Sequence, residues 1–540
     1  MNILIEKEPN YVNYYNSVQT CLSLGLGYDI KPTDELLSFL EAIKGVELSK
    51  YLVRRESRGR NGHNRVDLLR AELFAYMKLG HPTLADLEYL CSRNLDFIFL
   101  TKESFPSRKA FHRLETSYLK ESMEDIFYDI SAHIGDLMDV RKDVQYIDGT
   151  KIEAYANRYS FVHKKRILTN RDKMYKNITE SIRNLNSDYG YSYPVAENYC
   201  AQELGYIAQY LLEQIQFSDM ELVYGRGHKK TPLQRHYETF IGYYSRLIDY
   251  EYWLDIIGPD RNSCTKTDHD ATMSKLKIDY YNNSGIMTPS YNVQIGVSDG
   301  VIMNAGVYQN PGDSSTFIDF MERYYSHYGE YPLNPMADAG YGGLKNYLYC
   351  LSHGMNPVMK YNMYAKKNTA KFKKQIFRPA NWEEDENGYK VCPNGNVFSE
   401  YIGDRFEEKN GVLNIRQQYK NPEHCKGCPF RNKCLPTKKH PEVTEDREKI
   451  YTRNEVLRQF QDYVDTTLGS EFGKELKKQR SIQVEGAFGV LKEDMRFKRF
   501  RRRGMKGAQM EFLLVCLGYN FKKYHLYRIH HNSEAEEKAC

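Results

Sequence analysis

The hydrophobic pattern of this chain changes its period near Asp143, and this change restricts the possible folds more than any other feature. From there the segment DVQYIDGTKIEAYA alternates polar and apolar residues, which is typical of a half-buried β-strand. Gly149 interrupts the alternation. We therefore expect one strand that ends near Asp148 and a second strand that follows it.

Strand character returns after a long polar insertion. The segments SYNVQIGV and VIMNAGVYQ are strand-like, and the turn sequence SDG between them favours a hairpin. An amphipathic helix should follow, with Asp313 as its N-cap. NPMADAGYGG then predicts a short strand that stops at Asp338, and PVMKYN predicts a further strand. Strands and helices in this order predict an α/β protein with a mixed sheet.

At 540 residues the chain exceeds one simple core, so we expect several folded units. In chain order these are a helical N-terminal region for DNA binding or dimerisation, the first core strands, and a mostly helical insertion. They are followed by the continued core with Asp338 and by a cysteine-containing insertion. The last two units are C-terminal core helices, with Glu485 and a basic patch, and a disordered tail. Their predicted ranges are 1–140, 141–160, 161–285, 286–365, 366–450, 451–530 and 531–540.

The N-terminal region is predicted to form several short helices, with arginines ahead of them. Short helices in series are compatible with a helix-turn-helix unit that binds DNA. A helical dimerisation or packing domain is an equally good interpretation. The arginines concerned are Arg54, Arg55, Arg58, Arg60 and Arg65.

Positive charge is concentrated near the C-terminus. Between Phe472 and His530 there are 15 Lys and Arg residues and 5 Asp and Glu residues, whereas the whole chain has a net charge of +5. A concentrated positive field favours a polyanionic partner such as nucleic acid, and a solvated basic face is the simpler alternative. The apolar run FLLVCLGYNF is about half as long as a membrane span. We expect no membrane partner and a cytoplasmic protein that associates with the nucleoid when it binds DNA.

Three acidic residues suggest a metal site. Asp148 and Asp338 each end a predicted strand, and reactive groups gather at the carboxyl ends of strands in such sheets. Glu485 lies in a predicted helix. Carboxylates are ligands that Mg²⁺ prefers, and two such ions can activate a water or a 3′-hydroxyl and stabilise the leaving oxygen of a phosphodiester. The structural alternatives are a turn at Asp148 and a salt bridge at Glu485.

A single helix over residues 481–503 would place Glu485 at the rim of a basic surface. At about 100° per residue, one narrow stripe of that helix contains the glutamate and four cations. The stripe consists of Glu485, Lys492, Arg496, Arg499 and Arg503. Gly486 and Gly489 each cost about 1 kcal/mol inside a helix. Close approach to another backbone or a distorted first turn would explain them.

Five segments follow one another along the chain: YIDGTKIEAYANRYSFV, RNSCTKTDHDATM, YNVQIGV, ADAGYGG and RSIQVEGAFGVLKEDMRFKRFRRRG. In this order they resemble blocks of DDE transposases from bacterial insertion sequences, in particular the group numbered eleven eighty-two. The resemblance extends from about Arg54 to Tyr524. It implies a ribonuclease-H-like core, split by insertions and preceded by an α-helical domain, that uses two Mg²⁺ ions or Mn²⁺. It places the catalytic triad at Asp148, Asp338 and Glu485.

The resemblance also suggests residues around the triad. Lys492 fits a lysine that relatives carry after the glutamate, and it would clamp a phosphate near the scissile bond. Arg480 lies one residue further from Glu485 than in the commonest pattern, and Lys477 stands where a tyrosine is expected. The residues expected to bind DNA are Arg480, Arg496, Lys498, Arg499, Arg501, Arg502, Arg503 and Lys506.

Four of the eleven cysteines cluster in the insertion at 366–450. VCPNG contributes the first and HCKGCPFRNKC the other three, namely Cys392, Cys425, Cys428 and Cys434. Four thiolates satisfy a tetrahedral Zn²⁺ ion, and a closed site would fold an insertion with little apolar core. We expect structural zinc, with His424 as an alternative ligand. Reduced free thiols are the alternative interpretation.

Two further features have competing interpretations. Asp268, His269 and Asp270 resemble metal ligands, but three consecutive residues rarely face one ion, which favours a loop cap or a DNA contact. Trp382 lies in the cysteine-containing insertion, where some relatives stack a flipped base, and buried packing is the stronger interpretation.

Together these features predict a transposase that binds the ends of its insertion sequence, cleaves DNA and transfers the 3′-hydroxyl ends to target DNA. Double-stranded DNA is the expected partner, and pairing two ends implies a homodimer on DNA. One alternative is a DNA-binding protein that has lost catalysis. Another is a Mg²⁺-dependent nuclease without strand transfer.

Overall fold

The computed structural model describes residues 32–53, 62–225, 227–276, 287–409, 411–423, 425–436, 443 and 447–539, the last eight of these as backbone only. Four arginines of the possible helix-turn-helix unit lie outside the described residues, as does the alternative zinc ligand His424. They are Arg54, Arg55, Arg58 and Arg60. The interpretations that rest on these residues stay predictions.

The described N-terminal region is helical. Its helices are α1 (Asp34–Ala42), α2 (Arg65–Leu79), α3 (Leu84–Arg93), α4 (Leu95–Leu100), α5 (Arg108–Leu114) and α6 (Lys120–Leu137), with a 3₁₀ turn at Leu48–Leu52 and a π turn at Glu115–Leu119. Side-chain caps start α1 to α4, and at α3 Thr83 and Asp86 form a capping box. Arg65 donates to the Tyr118 hydroxyl at 2.7 Å. This arginine therefore packs within the region.

The central region contains a mixed sheet and a helical insertion. Its elements are β1 (Val144–Glu153), β2 (Phe161–His163), α7 (Lys164–Tyr189), α8 (Ala201–Phe217), α9 (Pro232–Ile257), β3 (Ser263–Thr265), β4 (Thr272–Lys275), β5 (Met287–Ser298), β6 (Val301–Tyr308), α10 (Phe317–Tyr328), β7 (Asn334–Met336) and α11 (Leu344–Ser352). The sheet order is β4-β5-β1-β7, and β6 also pairs with β5. β1 is antiparallel to β5 and parallel to β7. The predicted α/β class with a mixed sheet is confirmed.

The hairpin between β5 and β6 forms as expected. Asp299 and Gly300 have φ angles of 43° and 85°, and positive φ at both central residues suits a tight turn between twisted strands. Two other expectations were wrong. β1 continues through Gly149, because this residue stays in register with Gln294 of β5. The described residues of PVMKYN form only an isolated bridge, between Gly342 and Tyr361.

The remaining elements build the cysteine-containing insertion and the C-terminal helices. They are α12 (Ala370–Lys373), β8 (Glu383–Glu384), β9 (Lys390–Val391), β10 (Glu400–Lys409), β11 (Val412–Lys420), α13 (Arg431–Cys434), β12 (Tyr451–Arg453), α14 (Glu455–Gly469), α15 (Glu471–Arg480), α16 (Gly486–Gly489) and α17 (Met505–Ala539). Two π turns, Ser481–Glu485 and Val490–Asp494, flank α16. The backbone of α17 is helical up to Ala539, where a disordered tail had been expected from residue 531.

Helix α17 connects the sheet to the N-terminal helices. Buried residues of all three parts form one hydrophobic cluster. On one side, the Asn520 amide donates to and accepts from the backbone of Ile302 in β6, each at 2.9 Å. On the other side Gly518 allows close approach to α2, since a Cβ there would lie 2.6 Å from the Tyr76 carbonyl oxygen. The N-terminal helices therefore share the core of the sheet.

The helical insertion has its own core. Helices α7, α8 and α9 bury a separate apolar cluster that includes Ile178, Leu204, Leu211 and Phe240. Among the residues that the structure describes, no helix is both long enough and apolar enough to cross a bilayer.

Candidate active site

The parallel pairing of β1 and β7 brings two of the predicted acids together. Tyr146 pairs with Met336, so Asp148 and Asp338 each lie two residues beyond this last pair of the parallel strands. Asp338 follows the end of β7, as expected. Asp148 lies inside β1, because β5 continues to pair beyond it and pairs Asp148 itself with Ile295. The two aspartates thus share one edge region of the sheet even though only one of them ends a strand.

Glu485 reaches this region from the C-terminal helices. Arg480, the last residue of α15, donates to Asp148 Oδ2 at 3.4 Å and to Glu485 Oε1 at 3.3 Å. Ser481 Oγ also donates to Glu485 Oε2 at 2.9 Å. The Asp148 side chain is 20% exposed and the Glu485 side chain 58%. The Arg480 guanidinium therefore bridges Asp148 and Glu485, and the third predicted acid, Asp338, follows the neighbouring strand β7.

A fourth carboxylate, Asp313, lies between the two aspartates. Its Oδ1 accepts hydrogen bonds from Asn292 Nδ2 at 2.9 Å and Gln294 Nε2 at 3.0 Å. Its Oδ2 lies 3.4 Å from where a Cβ on Gly340 would stand, and Asp338 Oδ1 lies 2.9 Å from the same point. We refer to Asp148, Asp313, Asp338 and Glu485 as the acidic cluster.

Sequence reasoning assigned Asp313 a different role. It predicted an N-cap for the following helix, but α10 begins only at Phe317 and, in the structure as described, has no side-chain cap. The neighbouring Tyr341 donates to Gln294 Oε1 beneath the cluster. Burial raises the pKa of Tyr341 well above its usual value, and the carboxylates of Asp313 and Asp148 raise it further. Tyr341 is therefore a neutral hydrogen-bond donor that supports this edge of the sheet.

Two lysines border the acidic cluster. Lys492 donates to Thr150 Oγ1, and Thr150 lies two residues beyond Asp148 on the same face of β1. Lys360, which sequence reasoning missed, belongs to the PVMKYN segment. Burial lowers the pKa of Lys360, the cations of Arg480 and Lys477 lower it further, and carboxylates of the cluster oppose them.

The acidic cluster fits Mg²⁺ in the type and charge of its donor atoms, since carboxylate oxygens are the ligands that this ion prefers. Arg480 already supplies a positive charge between Asp148 and Glu485. Within the described residues, no three His, Cys, Asp or Glu side chains lie close enough to hold a metal ion. Binding of an ion would therefore require these carboxylates to come closer together.

Of the two explanations for the helix glycines, close approach to another backbone does not apply. No heavy atom of the described residues lies within 4 Å of a Cβ built on Gly486 or Gly489, apart from the local backbone. The other explanation, a distorted helix, agrees with the structure, because π turns precede and follow these residues. Such turns are frequent at functional sites in helices.

The predicted basic helical stripe was also wrong. The helical run ends at Asp494, and Arg496 adopts a φ of 57°, which breaks the helix. Residues 496–506, which we call the basic segment, then run beside the end of β1: Phe500 N donates to the Glu153 carbonyl at 2.8 Å. Arg496, Arg499 and Arg503 therefore do not share a helix face with Glu485.

Arg502 of the basic segment is directed into the protein. Its side chain is 16% exposed, donates to both oxygens of Glu115 and lies 3.7 Å from Glu511. We call Arg502, Glu115 and Glu511 the buried anchor. Burial disfavours the charge of Arg502, but Tyr76 and Glu115 outweigh this and raise its pKa well above the usual value. The anchor joins the N-terminal helices to the C-terminal segment.

The other predicted DNA-binding residues are more accessible. Arg496, Arg501, Arg503 and Lys506 are exposed residues, although Lys506 pairs with Glu121 at 2.8 Å. Lys498 pairs with Glu493 at 2.7 Å and Arg499 with Glu153 at 3.6 Å. Arg499 and Arg503 both lie over the ring of Tyr155, which is 44% exposed. A cavity of about 680 Å³ opens here between the basic segment and the N-terminal helices.

The four predicted zinc ligands line a single small cavity of about 30 Å³ in the cysteine-containing insertion. Trp382 lies at the same cavity, is 5% exposed and donates to the Ile376 carbonyl at 2.9 Å, which supports the packing interpretation. Asp268 and Asp270 accept hydrogen bonds from the backbone of Gly504 and Met505 at 3.3 and 2.8 Å. They are caps for the start of α17, as the loop-cap interpretation proposed.

A comparison with protein families adds independent information. A family model described as a transposase DDE domain matches residues 391–525, a quarter of the chain. The match includes Glu485, Lys492 and the four clustered cysteines, whereas Asp148 and Asp338 precede it. Searches among curated proteins and among solved structures gave no significant match. The family match supports a transposase-type enzyme with a DDE domain, a class that generally uses divalent metal ions.

Proposed function

We propose that this protein is a DDE transposase with a ribonuclease-H-like core, in which Asp148, Asp338 and Glu485 form the catalytic triad. One observation supports the proposal most: Asp148 and Asp338 each follow the last β1–β7 pair by two residues, and Arg480 contacts both Asp148 and Glu485. The three acids are far apart along the chain. Their convergence at one sheet edge is difficult to explain as a purely structural salt bridge, since the cluster stays partly open to solvent.

The three carboxylates would hold Mg²⁺ or Mn²⁺, which supplies activation of a water or a 3′-hydroxyl and stabilisation of the leaving oxygen. Arg480 would neutralise the cluster before DNA arrives and then turn towards a phosphate. Lys492, beside Thr150, is positioned to hold a phosphate next to the cluster. Asp313 and Tyr341 act as positioning residues, because they fix Gln294 between the two aspartate-bearing segments.

The exposed cations mark a route for the DNA backbone. From Asp148 to Glu153 the strand β1 rises roughly 17 Å at about 3.3 Å per residue. Lys492 contacts β1 near the start of this interval and Arg499 at its end. Arg496, Arg501, Arg503 and Lys506 continue the positive surface, and Tyr155 adds a ring on which a base or sugar can rest. Arg502 is excluded from this role because the buried anchor occupies it.

The proposed reaction has a defined biological substrate. The enzyme binds the ends of its own insertion sequence, cleaves them and transfers the 3′-hydroxyl ends to target DNA as a homodimer. A Mg²⁺-dependent nuclease would use the same acids, because hydrolysis and transesterification differ only in the attacking hydroxyl. An inactive DNA-binding protein would not need them.

The test is a cleavage and joining assay with duplex DNA from the flanks of the element, supplied with Mg²⁺ or Mn²⁺. Asp148→Asn, Asp338→Asn and Glu485→Gln remove one negative charge each with little change of shape. Each should reduce cleavage to background, because a metal site loses a charged ligand, while binding of the same DNA persists.

Glu475→Gln is the matched control, because this exposed glutamate on α15 pairs with Lys478 outside the cluster. It should leave cleavage unchanged. Cutting at the wild-type rate by any triad variant would remove that residue from the site. Cutting without joining would favour the nuclease, and DNA binding without cutting by the wild type would favour the inactive protein.

A further inference from the structure

We propose that Cys392, Cys425, Cys428 and Cys434 bind one structural Zn²⁺ ion that holds the cysteine-containing insertion together. The first observation is their convergence. The thiols come from three separate places in the insertion, after β9, in the turn before α13 and at the end of α13, and all four line the cavity of about 30 Å³. A space of this size holds little more than one small sphere.

The backbone around the thiols bends towards that cavity. The first turn is closed by a hydrogen bond from Gly395 N to the Cys392 carbonyl at 2.8 Å, and Gly395 has a φ of 81°. The second turn is closed by a hydrogen bond from Cys428 N to the Cys425 carbonyl at 3.4 Å, and Gly427 also has a φ of 81°. Glycine adopts this left-handed conformation at little cost. Each turn can therefore fold around the sulfur of the cysteine that begins it.

The insertion has little apolar material to stabilise it otherwise. Its buried hydrophobic side chains are Phe372, Trp382, Phe398 and Leu435, and they belong to none of the hydrophobic clusters formed by the described residues. On its sheet, Phe406, Leu413 and Ile415 are exposed. A unit with so small a core gains most from a cross-link between distant segments. Metal binding would provide one, because its free energy adds directly to folding.

The chemistry of the donors selects the ion. All four cysteines are free thiols, and four soft thiolates in a closed site favour tetrahedral Zn²⁺ over Mg²⁺. The thiols surround the cavity without forming, among the described residues, a closed group of metal ligands. Binding would deprotonate them and draw them onto one point.

The first test is the zinc content of the full-length protein purified in reducing buffer without chelator. The wild type should carry about one zinc ion per chain. Cys428→Ser and Cys434→Ser should each lower that content to near zero. Cys200→Ser is the matched control, because Cys200 is an exposed cysteine ahead of α8, and it should keep the wild-type content.

A second measurement covers the case in which a variant does not fold. The wild type, depleted of metal and titrated with Co²⁺, should develop the absorption bands of tetrahedral thiolate coordination, and Zn²⁺ should displace them. Substoichiometric zinc in the wild type, zinc retained by both cysteine variants, or octahedral Co²⁺ spectra would each overturn the proposal. These readouts do not depend on DNA cleavage, so the zinc site and the transposase activity can fail separately.

Discussion

Two regions of this protein combine arginine with several carboxylates, and they differ in how tightly the groups are enclosed. In the acidic cluster, the Arg480 side chain is only 12% exposed, but its contacts with Asp148 and Glu485 are 3.3–3.4 Å long and Glu485 is 58% exposed. In the buried anchor, Arg502 donates to both oxygens of Glu115, whose side chain is 5% exposed. The same residue types thus form one open contact and one closed contact.

The difference indicates what each region is for. Long ion pairs with an exposed carboxylate contribute little stability, and the proposed site for metal and phosphate would require contacts that can be exchanged. A buried pair resists disruption, because removal of one partner leaves the other charged and desolvated. Burial also raises the pKa of the Glu72 carboxyl beside the anchor, and the nearby Glu115 raises it further, which favours a neutral Glu72. The anchor is therefore a structural joint between the N-terminal helices and the basic segment.

The largest effect should appear when each region loses its arginine. Arg502→Gln should lower the free energy of unfolding by about 3–5 kcal/mol, because Glu115 and Glu511 then remain buried without their cation. Arg480→Gln should lower it by about 1 kcal/mol or less, since its contacts are long and its partner Glu485 is 58% exposed. Urea denaturation followed by circular dichroism measures both. Equal losses in the two variants would contradict the distinction between open and closed contacts.

A smaller loss of stability should follow from overpacking beside Asp148 in the acidic cluster. Gly149→Ala places a Cβ 2.1 Å from Gln294 Nε2 and 2.9 Å from Asp313 Oδ1. This overpacking should cost about 1–3 kcal/mol and displace the neighbouring Asp148, so cleavage should fall together with the thermal midpoint. Calorimetry and the cleavage assay provide the two readouts. Wild-type values for both would show that Gln294 does not fill this position.

The smallest effect should have the opposite sign. Gly486→Ala adds a methyl group at a helical position with φ of −61° where no described heavy atom outside the local backbone lies within 4 Å. It should raise the free energy of unfolding by about 0.5–1 kcal/mol, because alanine favours the helix. The shift of the urea midpoint measures it. A loss of stability would instead show that the flanking π turns require glycine.

Much of the sheet could be predicted from the sequence because alternation, turns and caps are local. The β5–β6 hairpin followed from an SDG turn, and the α/β class followed from the order of elements. The errors arose where a distant partner decided the outcome. β1 passes through Gly149 because β5 pairs with it, and Asp313 faces the aspartates because Asn292 and Gln294 bind its carboxylate.

The sequence predicted the acids of the candidate site but not the cationic residues around them. Asp148, Asp338 and Glu485 were recognisable as carboxylates next to small residues in segments that resemble a known enzyme class. No local sequence pattern predicted that Arg480 would bridge Asp148 and Glu485. Lys360 was hidden in a segment that looked like an ordinary strand, so its place beside the cluster could be recognised only from the folded chain.

By itself, the sequence determined the residue types: three separated acids, a cationic C-terminal region, four clustered cysteines and the order of strands and helices. Those properties are local, because each can be recognised from a residue and its neighbours along the chain. Only the tertiary structure decided that Asp148 and Asp338 follow paired positions of neighbouring strands, that Arg502 is enclosed while Arg503 is exposed, and that the cysteines meet at one cavity. Register, burial and convergence depend on contacts between distant segments, and those contacts exist only in the folded protein.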